Sequence, residues 1–259
     1  MTRIVAVDEL ARAYRAAVSG EFRTGSARAG RAVIAPATWT RAPAENVVAV
    51  IGCHGGAGAS TIALGLASAA GDARVVECCT VAASGLAAAS AAELGVTLDG
   101  WVQGSRGPVL VERRGDRIES PARCPVPAAT TRPVTVLDCG WDVDLLVSDA
   151  GWLGKVVREA PVVAVTRPTL PGLRRLEATV GLLGTGRVCA VVVGVEKRWP
   201  RHLEQSTGTS GRALRAEGRL MDLPHDPTLS VEGLTPEPLP TSIVTGCSAL
   251  LTLLKGSLG

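Results

Sequence analysis

Gly55, Gly56 and Gly58, with the hydroxyls of Ser60 and Thr61 one residue beyond, form a cluster fit to hold an anion. They belong to the stretch CHGGAGAST (53–61), which joins an apolar run, VVAVIG, to a segment with helical spacing, IALGLASA. Glycines at such a junction let successive backbone N–H groups converge on one point, and the start of the helix adds the positive end of its dipole. The combination favours an anion, and phosphate is the anion that suits it. A Ser or Thr just inside the helix supplies a hydroxyl for Mg²⁺ beside the phosphates. Ser60 fills that place, with Thr61 beside it, but Ala59 stands where such a loop carries its lysine.

Magnitudes separate binding from hydrolysis in a loop altered this way. Losing one charge-assisted contact, about 1.5 to 3 kcal/mol, weakens binding by one to two orders of magnitude. Phosphoryl transfer leans harder on cations placed where charge develops, an effect of roughly 10³ to 10⁵ in rate. Hydrolysis therefore fails before binding does unless an arginine replaces the lysine. No Lys or Arg lies between Arg41 and Arg74, so a replacement must come from a distant segment or from a second subunit.

Apolar strands and helices alternate around this loop. The spacing predicts strands over 46–52, 73–79, 134–138, 161–166, 188–193 and 220–223, with helices over 59–70, 171–183 and 242–254. An Ala-rich helix is expected over 81–94. Continuous apolar strands separated by helices imply an α/β fold with a mostly parallel, doubly wound sheet covered on both faces. Val7, Leu10, Tyr14, Val18 and Phe22 fall at helical spacing, which predicts an amphipathic helix over 8–19. The chain therefore divides into an N-terminal helix and basic arm (1–45) and a nucleotide-loop domain (46–259).

Composition bounds the alternatives. At 259 residues, 46% hydrophobic and 20% charged, the chain is globular and long enough to bury a large core. The net charge of +3 is confined to residues 1–45, which hold seven Arg against four acids. Contact with nucleic acid or an anionic membrane through that segment is one reading of the arm; a solvated linker is the commoner explanation. The run MTRIVAVDELARAYR is broken by charge too early for a signal peptide, so a cytoplasmic location is expected. Seven cysteines occur without a CxxC pair. The Cys78-Cys79 pair invites a redox or metal reading, but no histidine sits near it.

The order of a glycine doublet, one residue, a glycine and two hydroxyls resembles the deviant phosphate loop of the ParA and MinD ATPases (SIMIBI class), whose pattern reads KGGxGKTT. Aligned to it, His54 takes the place of the signature lysine that acts across the dimer interface, and Ala59 that of the general phosphate lysine. A histidine there is mostly neutral at pH 7. VTVLDCG (134–140) looks like the family's second acidic strand end, whose Asp, here Asp138, contacts the magnesium shell. AVTRPTLPGLRRLEATV (164–180) is similar to the family's T-x-P-x-x-P-x-x-R segment. LPHDPTLSVEGLTPEPLP (223–240) resembles the loop near the base in the pilus-localisation branch, CpaE and TadZ, and so adds Pro224 and Asp226 to the site. That branch is known for altered loops.

The resemblance spans about 46–254. It implies weak binding of ATP or ADP through the run Cys53, His54, Gly55, Gly56, Ala57, Gly58, Ala59, Ser60 and Thr61. Mg²⁺ would be held by Ser60 and Asp138, with little or no hydrolysis. It further implies a homodimer, a protein partner, and a positional or regulatory role. Two departures stand out: only Glu77 answers the family's acidic D-x-D, and Gly194 lies about where an Asn usually faces the base. Arg198, Trp199 and Pro200 are candidates to line the base pocket instead, unless Trp199 caps the sheet edge.

Rival chemistries fare worse. HGGAG resembles an esterase oxyanion loop, but the chain has no G-x-S-x-G elbow, since GTSGR (208–212) fails at its last position. A dinucleotide fingerprint fails as well, because Thr61 stands where the third glycine belongs. The remaining alternative is a ligand-free scaffold for protein-protein interaction that retains the fold.

Overall fold

The computed structural model describes residues 38–195 and 198–256. The helix expected over 8–19 and most of the basic arm lie outside the described residues.

The loop hangs from a sheet whose strands are β1 (Asn46–Gly52), β2 (Ala73–Glu77), β3 (Ala92–Val96), β4 (Trp101–Arg106), β5 (Val109–Arg114), β6 (Val134–Cys139), β7 (Val162–Thr166), β8 (Val188–Val195) and β9 (Leu220–Pro224). Their order is β3-β4-β5-β2-β6-β1-β7-β8-β9. From β5 to β9 every neighbouring pair is parallel, while β3, β4 and β5 form an antiparallel meander at one edge.

Successive residues of the central strands serve opposite faces, which is why they read as unbroken apolar runs. In β1, Val48 and Val50 join one core while Val47, Ala49 and Ile51 join the other. The first core is closed by α1 (Ala59–Ala70) and α8 (Thr241–Gly256), through Ile62, Leu66, Ile243, Cys247 and Leu250. Gly65 lets these helices meet closely: a Cβ there would lie 2.6 Å from Cys247 Sγ. The second core is covered by α2 (Val143–Ser148), α3 (Trp152–Glu159), α4 (Leu170–Leu183) and, through Leu214, α6 (Thr209–Ala216). The short α5 (Arg201–Gln205) and α7 (Pro227–Glu232) complete the set of described helices. None of the described helices is long and apolar enough to cross a membrane.

One expectation needs correction, and one hairpin went unforeseen. The Ala-rich helix over 81–94 does not form: one 3-10 turn, Val81–Ala83, is followed by an irregular stretch and then by β3. Local propensity loses there to tertiary contacts, since Leu86 and Ala89 are drawn into the core while the Ser84 hydroxyl bonds Glu77. The hairpin of β4 and β5 was also missed; it turns on Gly107 (φ 55) and Pro108 between two strands with mixed polar and apolar residues.

The N-terminal end of the sheet is sealed by a buried polar network. Arg74 is 1% exposed, and its Nη2 and Nη1 donate to Glu45 and Glu112 at 3.0 Å each. Its Nε reaches Thr135 Oγ1 at 2.8 Å, and Nη1 also reaches Ala128 O at 2.7 Å. Glu45 accepts further bonds from Ala42 N–H and the Thr135 hydroxyl, and Glu112 accepts one from Gln103. Trp39 lies beneath the guanidinium, 5.9 Å from ring centroid to Cζ, and meets Trp152 edge-on.

Candidate functional site

At the other end of the sheet the strands open onto the glycine loop. The Cys53 N–H donates to Val165 O at 2.8 Å, which ties the start of the loop to β7, and Ala57 N–H donates to His54 O at 3.2 Å. Gly56 (φ 71) and Gly58 (φ 97) sit in the left-handed region, where a Cβ is strained, so the curvature of the loop requires glycine at both. Gly58 caps α1 without a side-chain hydrogen bond. Among the described residues the backbone N–H groups of Ala59, Ser60 and Thr61 find no acceptor. Such an end is complementary to an anion.

A cleft of about 690 Å³ lies over these amides. Its walls bring together His54, Gly55, Gly56, Ala57, Gly58, Ala59, Ser60, Thr61, Asp138, Pro224 and Asp226, all singled out in the sequence. Cys53 is the exception. Its side chain packs with the second core and its thiol meets Thr179, with burial pushing the thiol up to about 11, so it offers the cleft no reactive sulfur. Such a volume is of the order that mononucleotide ligands fill.

Asp138 ends the apolar part of β6 and is 1% exposed. Its Oδ2 has no hydrogen-bond partner among the described residues although it lines the cleft. Burial raises its pKa to about 6, and the nearby Ser60 hydroxyl partly offsets that rise. A buried carboxylate with an unused oxygen beside a hydroxyl is a fitting donor pair for Mg²⁺, so Ser60 and Asp138 would hold the ion. Ser60 Oγ also accepts Gly85 N–H at 3.2 Å, and a Cβ on Gly85 would fall 2.8 Å from Ser60 Cβ. The segment after β2 therefore lies directly against the Ser60 hydroxyl.

Glu77, the register partner of Asp138, serves differently. Burial raises its pKa to about 7, countered by the Arg114 N–H, which donates to it at 2.9 Å. Ser84 takes its other oxygen, and Glu77 is not part of the cleft wall. The His54 Nδ1–H donates to Gly55 O at 2.9 Å, while its buried Nε2 has no partner among the described residues. Asp226 caps α7 by accepting Leu229 N–H at 2.9 Å. Trp199 packs with Leu173, Val192 and Leu203 under the Arg215 guanidinium, 4.4 Å away, and not in the cleft.

Sequence reasoning missed three parts of this wall: Trp141, the segment from Thr80 to Gly85, and Arg167, whose Nε donates to Gly56 O at 3.3 Å. A signal for Arg167 existed. It is the first residue beyond a strand end, and in parallel sheets ligands sit at the carboxyl ends of strands.

No family model matches the chain, and no curated protein matches its sequence. Solved structures do match its shape. A plasmid partition protein from Borrelia burgdorferi, solved bound to AMPPNP, is 11% identical with a TM-score of 0.54, covering 82% of this chain and 99% of that one. The apo McdA of Cyanthece is 9% identical with a TM-score of 0.52, covering 83% and 100%. A MinC:MinD cell division complex from Aquifex aeolicus contains a chain 13% identical with a TM-score of 0.51, covering 82% and 96%. The chain thus has the fold of the MinD and ParA P-loop ATPases.

Proposed function

We propose that this chain is a nucleotide-binding protein of the MinD and ParA type. Its altered loop takes the phosphates of ATP or ADP weakly, with hydrolysis slow or absent. The observation that carries the reading is the unused buried oxygen of Asp138 beside Ser60, facing a cleft floored by backbone amides without acceptors. The amides would orient the phosphates, and Asp138 with Ser60 would hold the metal ion. Bound Mg²⁺ would neutralise phosphate charge. Ala59 brings no cation to the loop, and a neutral His54 whose Nδ1–H bonds Gly55 O presents only an acceptor at Nε2. Binding is thereby kept while transition-state stabilisation is lost.

By resemblance to the pilus-localisation branch, the work is positional: a dimer that marks a site or recruits a protein partner. Leu145, half exposed at the mouth of the cleft, supports a protein surface there. The test is calorimetric titration of ATP with Mg²⁺ into wild type and Gly56→Val. Heat from the wild type that the variant loses is the expected result, and silence from the wild type at millimolar ATP would overturn the reading. One observation favours a second reading, the ligand-free scaffold: the Ser60 hydroxyl is already engaged by Gly85.

A further inference from the structure

The loop lacks its lysine, yet the cleft does not lack a cation. Arg167 follows β7, the neighbour of β1, and the pairing of Gly52 with Val165 brings it beside the loop. Its Nε donates to Gly56 O at 3.3 Å, and it is the one Arg or Lys among the described residues that line the cleft. Arg74, Arg113, Arg114, Arg132, Arg215 and Arg219 each pair with a carboxylate; no such pair involves Arg167 among the described residues. Nor do its Nη donors have an acceptor there, so most of a planar fork suited to phosphate is unused.

The surroundings hold this side chain in place. Thr169 N–H bonds the Arg167 carbonyl at 2.8 Å, and a Cβ on Gly172 would lie 2.6 Å from that carbonyl, so the start of α4 pins the backbone. On the other side Gly194, at φ 99 within the bulge of β8, leaves the guanidinium its room: a Cβ there would stand 3.0 Å from Nη1. The cleft also presents Asp138, Asp142 and Asp226, a wall that repels phosphate unless a cation offsets it.

We propose that Arg167 is the phosphate-facing cation of this cleft and supplies, from the end of β7, the ground-state phosphate contact that the missing lysine would make from the loop. The ligand is the phosphate chain of a nucleoside di- or triphosphate. This inference rests on the phosphate reading above.

The experiment is a double-substitution cycle on the full chain, with ATP and Mg²⁺ as the probe and thermal unfolding as a check on folding. Arg167→Ala should weaken binding about tenfold to a hundredfold, Arg167→Lys should retain part of it, and Arg174→Ala, an exposed arginine on α4, should bind like wild type. If the two cations share one task, Ala59→Lys gains more affinity in the Arg167→Ala background than in wild type. Wild-type binding that Gly56→Val abolishes but Arg167→Ala leaves intact would overturn the assignment of Arg167 while sparing the phosphate reading. Equal gains from Ala59→Lys in both backgrounds would overturn the shared task. A wild type silent to ATP would overturn both.

Discussion

The two ends of the central sheet treat buried polar groups in opposite ways. Around Arg74 every charge is answered: two glutamates, a hydroxyl and a carbonyl fill the guanidinium, and each glutamate carries further donors. At the glycine loop, amides at the start of α1, the Asp138 Oδ2 and the His54 Nε2 lack partners among the described residues. Burying an unanswered polar group costs stability, so a fold that satisfies one end and leaves the other open is spending stability where a ligand can restore it.

The comparison breaks first at its satisfied end. Arg74→Met strands Glu45 and Glu112 in the core without their cation, and the expected loss is about 3 to 5 kcal/mol in denaturant unfolding. A much smaller loss would mean that water reaches the network.

The open end predicts a pH effect of the opposite kind to a salt-bridged acid. Asp138 and Glu77 are raised to about 6 and about 7 from ordinary values of 3.8 and 4.5. The folded chain therefore holds protons that the unfolded chain has released. Their contribution is favourable at low pH, declines as pH rises through about 4 to 7, and is flat above that window. Asp138→Asn removes one of these groups, so without metal the variant should gain on wild type by about 1.4 kcal/mol between pH 5 and pH 7.5. The same variant should lose the Mg²⁺ dependence of ATP binding. A wild-type minus variant difference that does not change with pH would contradict the burial argument.

The smallest effect lies at the surface. Asp72 meets Arg132 at 2.7 Å, but its side chain is 65% exposed. Asp72→Asn should shift stability by less than about 1 kcal/mol, which would show that burial, not mere pairing, sets the contrast between the two ends.

Much of this was legible in the residues. The strands β1, β6, β7 and β8 announce themselves because both faces are buried, leaving runs such as VVAVI without polar interruption. Gly56, Gly58 and Ser60 were singled out by local spacing, and Asp138, the next-to-last residue of β6, by resemblance; the fold brings all four to one cleft. What failed was non-local. The Ala-rich 81–94 stretch reads as helix until Glu77, Ser60 and the core claim Ser84, Gly85 and Leu86. Arg167 lies more than a hundred residues from Gly56 in sequence, and only the adjacency of β7 to β1 makes them neighbours.

The loop amides are the groups that a phosphate would engage, and hydrogen–deuterium exchange reads them directly. Residues 55–61, Ala57 excepted, should exchange fast in the free protein, because their amides have no acceptors among the described residues, and ATP with Mg²⁺ should slow them while leaving the strands around Arg74 unchanged. Exchange over 55–61 that stays fast at millimolar ATP, in a protein otherwise folded, would contradict the account and leave the glycines as a feature of the fold alone.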